Sequence, residues 1–160
     1  MRQGLGFNKT PGVYSAFPTN PYSHTPAGQG AKQPGMTGMV KEEVLTRLVE
    51  MGVCVEHGAL SFKPVLLRAR EFTDRATPFT YMDAGGREQT IHLPARALAY
   101  TFCQVPVVVL SSQEEKIEVG FTDGSLGAVM GNALDAEISQ HIFGRDGRIR
   151  QLTVYTRAAF

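Results

Sequence analysis

Glu42 and Glu43, with His24 in the loop before them, are the residues whose types and placement come nearest to a reaction. Cleavage of a glycosidic bond uses two carboxyl groups, one as acid and one as base or nucleophile. Neighbouring helix residues point about 100° apart and do not face each other, so these two cannot serve one another as acid and base. Either would need a second carboxylate from another body. The competing structural reading is a solvated helix face whose acids complement the positive end of the helix dipole. A hydrolase using Glu42 or Glu43 with His24 therefore stays as one reading among several. The four histidines, His24, His57, His92 and His141, show no i,i+4 pair and no CxxC lies near them, so no metal site and no cofactor are expected. GxSxG and GxxxxGK[ST] are both absent, which removes the usual markers of nucleophilic and phosphoryl chemistry. Asp83 and Asp123 sit among turn residues and are explained by backbone needs.

The elements that must position these residues begin with a long loop. NPYSHTPAGQGAKQPGMTGMV, starting at Asn20, runs into the segment KEEVLTRLVEMG. Residues 1 to 38 hold five of the nine prolines and seven of the 17 glycines, and the first acidic residue of the chain is Glu42, so this arm reads as extended rather than regular. Its rings, Phe7, Tyr14, Phe17 and Tyr22, are unusual for a disordered tail and call for a surface to pack on. In the helix that follows, Val40, Val44, Leu45, Leu48, Val49 and Met51 share one half of the wheel. Thr37 is the expected N-cap and Gly52 the left-handed stop. Lys41 breaks the apolar half, either as a snorkelling stem or as a cation aimed into a polar pocket at the end of the loop.

Beyond Gly52 the period changes from helical to alternating. A hairpin is expected around His57-Gly58, another between Phe79–Met82 and Glu88–Leu93 around Asp83-Ala84-Gly85-Gly86, and a third between Ile117–Phe121 and Leu126–Met130 around Thr122-Asp123-Gly124. Ala97 to Leu110 is too apolar for a one-faced strand and reads as the central buried strand, with Pro106 at a bulge, bend or edge. Ala136 to Phe143 suits a short helix, and Arg148 to Tyr155 a last strand closing the sheet. The fold class expected is mainly β: an antiparallel β-sandwich over residues 53–160, preceded by an extended Gly/Pro-rich arm and one amphipathic helix over residues 1–52.

Composition bounds the rest. With 160 residues, 42% of them hydrophobic, the chain can bury a core, and no apolar run approaches the roughly 20 residues of a membrane span. Sixteen Lys and Arg stand against fifteen Asp and Glu, so no overall basic field exists to attract nucleic acid. Cys54 and Cys103 both lie in apolar stretches and are expected as free, buried thiols. With no signal-peptide pattern at the N-terminus, the cytoplasm is the expected compartment.

NPYSHTPAGQGAKQPGMTGMVKEEVLTRL, then VEHGALSFKPVLL, IHLPARALAYTFCQVPVVV, IEVGFTDG and ISQHIFGRDGRIRQLTV, together resemble the C-terminal end of bacterial glycoside-hydrolase-like and sugar-phosphorylase-like proteins. In such proteins an (α/α)6 toroid carries the active site and a β-sandwich follows it. The resemblance implies that the arm and helix are the last pieces of a toroid and that the sandwich is an accessory domain. Tyr22, His24, Gln33, Thr37 and Lys41 would then line the sugar-facing end. Because the chain starts only a few residues before the resemblance does, a complete glycosidase is not expected. The implied role is a noncatalytic C-terminal portion of a carbohydrate-active protein, with a helical catalytic domain or a second copy docking on the Val40–Met51 helix. A free-standing carbohydrate-binding sandwich is the alternative.

Overall fold

The structure, a computed structural model, describes residues 36–157, with side chains inside the first helix described from Glu43 onward. The chain divides into two units at Arg47/Leu48, and all strands belong to the second. Helix α1 runs Met36–Glu50. Thr37 therefore occupies its second position rather than the cap, since a cap is fixed by backbone torsions and helix starts move by a residue or two. Gly52 ends the helix as expected, at φ +72°, with its N–H donating to the Val49 carbonyl at 2.9 Å. Its lack of a side chain is also steric: a β-carbon there would stand 2.0 Å from the carbonyl carbon of Lys63. Of the apolar residues expected on this helix, Met51 lies just past its end and is buried and Leu48 packs on the core, whereas Val44, Leu45 and Val49 are 53%, 63% and 64% exposed.

The protein is mainly β. Strands β1 (Val53–Glu56) and β2 (Ala59–Phe62) form one hairpin, and β3 (Thr77–Met82) and β4 (Glu88–Leu93) a second. Strands β5 (Ala97–Phe102), β6 (Val105–Ser111), β7 (Lys116–Phe121), β8 (Leu126–Met130) and β9 (Ile149–Thr156) build a five-stranded sheet in the order β5-β6-β9-β7-β8. The three hairpins fall where the turn residues place them. Two expectations change. Ala97–Leu110 is two antiparallel strands rather than one, reversed at Cys103-Gln104, where both residues have positive φ (49° and 65°). The last strand does not close the sheet but fills its middle, parallel to β6 and antiparallel to β7. Eight residues with Ile149, Leu152 and Val154 all buried suit a strand with neighbours on both sides.

Pro106 fits this topology without a bulge. Phe102 and Val105 flank the two-residue turn and form its hydrogen-bonded pair, so Thr101 opposite Pro106 is a non-bonded pair and needs no N–H from proline. The nitrogen faces the β9 side, where pairing begins only at Val107. One face of the sheet carries Val107, Val109, Ile117, Val119, Leu152 and Val154 into the main core, where β2 and helix α2 (Ala136–Gly144) cover it with Leu60, Phe62 and Ile142. Asp135 caps α2, its carboxylate accepting from Ile138 N–H at 2.7 Å, and the buried Ser139 hydroxyl accepts from Leu60 N–H at 3.0 Å, which ties α2 to β2. On the opposite face Ala97 and Val108 pack under Phe79, Ile91 and Leu93 of the β3–β4 hairpin. The sheet is thus covered on both faces at β5–β6.

Candidate functional site

Of the residues expected to line a site, Tyr22, His24 and Gln33 lie outside the described residues. Thr37, Lys41 and Glu42 fall on α1, and Glu43 is exposed on it. A polar cleft of about 360 Å³ lies elsewhere, in the β unit. Ligand pockets commonly span about 300 to 1,000 Å³, so it has room for a small polar molecule. Its walls come from the β3–β4 tip, the β5–β6 turn, the start of β9 and the turn that joins α2 to β9.

The hairpin wall is fixed by Asp83. One of its oxygens accepts from the backbone N–H groups of Gly85 and Arg87, both at 2.9 Å, and the other from Gln89 Nε2 at 3.0 Å, with Arg87 Nε 3.3 Å away. The Arg87 N–H holds this carboxyl below the usual aspartate range, helped by Gln89 and by the Arg87 charge. Asp83 is consumed by its own turn and is not free to act as a base. Gln104 Nε2 donates to the Asp83 carbonyl at 3.3 Å, which tethers the hairpin tip to the β5–β6 turn. On the far wall, Arg145 ends α2 in the left-handed region at φ 52°, its N–H donating to the Ile142 carbonyl. The Arg150 guanidinium lies across Gly120, 3.6 Å from where a β-carbon would stand.

His141 also reaches the cleft, with its Nδ1 2.7 Å from Asp146 Oδ2. The Asp146 carboxyl is held low, first by the Arg148 N–H and then by His141. A histidine oriented by a carboxylate is half of a nucleophile-activating arrangement. The other half is missing among the described residues, since no hydroxyl or thiol hydrogen-bonds to the second ring nitrogen. Cys54 and Cys103 are both free, each partly buried rather than fully so, and Cys54 Sγ contacts Glu56 at 3.5 Å. Among the described residues no group of three or more His, Cys, Asp or Glu side chains is arranged to hold a metal ion. No described helix is long and apolar enough to cross a membrane. A second polar cluster, Lys116–Glu118–Tyr155, is closed on itself: Lys116 Nζ meets Glu118 at 2.8 Å, Tyr155 donates to Glu118 at 3.0 Å, and the ammonium sits 4.6 Å from the Tyr155 ring centroid.

Comparison with protein-family models and with curated proteins gives no match. The cleft lining carries three arginines, Arg87, Arg145 and Arg150, against one carboxylate, Asp83, together with the amides of Gln89, Gln104 and Gln151. None of these was singled out from the sequence as a site residue; Asp83 and Arg145 stood out only as turn residues. A signal existed for three: Gln104 stands in the pair of polar-tolerant residues between apolar runs, and Arg145 and Arg150 belong to the basic cluster GRDGRIR. Their convergence depends on β9 entering the sheet centre beside β6, which sequence periodicity does not encode.

Proposed function

We propose that the chain is a noncatalytic accessory module of a carbohydrate-active protein, supplying sugar contacts rather than chemistry. The observation that carries this reading is a cleft lined by three glutamines and three arginines beside Tyr81. Sugars are bound by placed hydrogen-bonding groups on a partly apolar wall, and amides supply a donor and an acceptor on one planar group. The engagement of Asp83 by its own turn, and of His141 by Asp146 without a nucleophile, supports binding over bond cleavage. Calorimetric titration with a panel of neutral and acidic mono- and oligosaccharides, followed by product analysis of the same samples, tests the reading. Saturable heat with the sugar recovered intact is the expected result. Turnover, or no heat with any glycan, would remove it.

A helical catalytic body, or a second copy of this chain, docking on α1 is a further part of the proposal, and the cytoplasm remains the proposed compartment. The support for docking is the exposure of Val44, Leu45 and Val49 on α1. An apolar row of this kind fits helix-in-groove recognition.

A further inference from the structure

We infer that the cleft takes an anionic sugar, with a carboxylate or phosphate held by Arg145 and Arg150 and the hydroxyls held by the glutamine amides. The sugar half of this inference rests on the carbohydrate reading above; the anion half rests on the cleft's charge alone. Across the whole chain the formal net charge is only +1, yet the cleft lining holds three arginines against one aspartate, with the Asp146 carboxylate behind His141 at 2.7 Å. Positive charge is therefore concentrated here rather than spread. Arg87 is partly neutralised by Asp83 at 3.3 Å. Arg145 and Arg150 have no carboxylate within ion-pair distance among the described residues, although Arg148 between them in sequence does, facing Asp146 at 3.8 Å. Two unneutralised guanidinium forks on one wall are suited to the planar or tetrahedral oxygens of an acid group.

The amides complete the pattern. Each donates one bond inside the protein, Gln89 to Asp83, Gln104 to the Asp83 carbonyl and Gln151 to Thr153. Their carbonyl oxygens have no partner among the described residues, so acceptors for hydroxyl groups stand beside donors for an acid. A polyol carrying one anionic group uses both sets; inorganic anions use only the first, and neutral sugars only the second.

Backbone conformation adds a separate observation. Gln104 and Arg145 both line the cleft and both hold positive φ, at 65° and 52°, in positions where glycine or asparagine is the ordinary choice. The left-handed region disfavours other residues, and such outliers gather where a side chain has to be presented. Here the two residues are a glutamine and an arginine lining one cleft, two of the five described non-glycine residues with positive φ.

The test is calorimetric titration of the whole chain, at low ionic strength, with D-glucuronate, glucose 6-phosphate, glucose and inorganic phosphate, repeated for the Arg145→Gln, Arg150→Gln double variant. The exposed positions of both arginines leave folding intact, which thermal melting of the variant verifies. At least one of the two acidic sugars is expected to bind at least about tenfold more tightly than both glucose and inorganic phosphate, and the double variant to lose about tenfold or more, as added salt does in the native chain. Whichever acidic sugar binds identifies the source of the anion. Glucose binding as tightly as the acidic sugars, with the double variant unaffected, overturns the anion inference while leaving the carbohydrate reading in place. Inorganic phosphate binding as tightly as the acidic sugars overturns the sugar half, and with it the carbohydrate reading. Absence of binding by all four overturns the inference.

Discussion

At the scale of single residues, the cleft shows side chains chosen against local backbone preference. Glycine accepts the left-handed region without penalty, and a non-glycine residue there costs about 1 kcal/mol. Arg145→Gly is expected to raise stability by up to about 1 kcal/mol while weakening ligand binding, whereas Gln104→Gly also loses the bond to the Asp83 carbonyl and is expected to be near neutral in stability while weakening binding. Chemical denaturation and calorimetry on the same samples check this; loss of both stability and binding would mean that the two side chains are structural. Tyr100 gives a test away from the cleft. Its hydroxyl is buried with no hydrogen-bond partner among the described residues, and burial pushes its pKa well above the ordinary phenol value. Leaving such a group unsatisfied costs about 1–3 kcal/mol, so Tyr100→Phe is expected to be neutral or stabilising in a urea titration. Gly52→Ala has the opposite sign. The added methyl meets the Lys63 carbonyl at about bonding distance in a left-handed residue, and a loss of more than about 3 kcal/mol is expected from the shift of the urea midpoint.

Among the elements, local signals were legible and long-range pairing was not. His57-Gly58, the Asp83 turn and Thr122-Asp123-Gly124 each carry the residues their backbones need, and all three hairpins stand where those residues put them. Asp123 accepts from both the N–H and the hydroxyl of Ser125, at 2.8 and 2.6 Å, which is a turn's own chemistry. The β5–β6 reversal escaped because Cys103 and Gln104 are poor residues for a two-residue turn, so the apolar runs around them fuse into one. The placement of β9 escaped for another reason: a buried strand looks alike whether it sits at the edge or centre of the sheet, and partners are chosen by packing. The site followed the same division. Asp83 was visible as a turn residue, whereas Arg145, Arg150 and Gln151 converge on Gln104 only once β9 lies beside β6. Helix α1 is the element to test by substitution. Replacing Val44, Leu45 and Val49 with serine is expected to leave the thermal midpoint nearly unchanged while abolishing self-association or capture by a helical partner, measured by sedimentation.

For the β unit, the mixed five-stranded sheet is covered on one face by the main core and on the other at β5–β6 by the β3–β4 hairpin, and the cleft lies at the end where the β3–β4 tip, the β5–β6 turn and the start of β9 meet. Asp83, Glu118, Asp123 and Asp146 all have pKa values below the ordinary carboxylate range, Asp83 chiefly through the Arg87 N–H, Glu118 through Lys116, Asp123 through the Ser125 hydroxyl and Asp146 through the Arg148 N–H. A carboxyl group whose folded pKa is depressed contributes stability that is present above its unfolded pKa and lost as pH falls through the folded value. Urea midpoints are therefore expected to hold near neutrality and fall below the normal carboxylate pKa, with Asp83→Asn and Asp146→Asn flattening the decline. All four groups are partly or largely solvated, so each effect is small. The account's central claim is that the cleft binds a sugar without transforming it. Amide chemical-shift mapping of the labelled chain during titration with D-glucuronate and glucose 6-phosphate tests this most directly. The account predicts shifts concentrated at Gln89, Gln104, Arg145 and Gln151, with the sugar signals unchanged in identity; shifts gathered on α1 or β8 with the cleft silent, or new product signals, would contradict it.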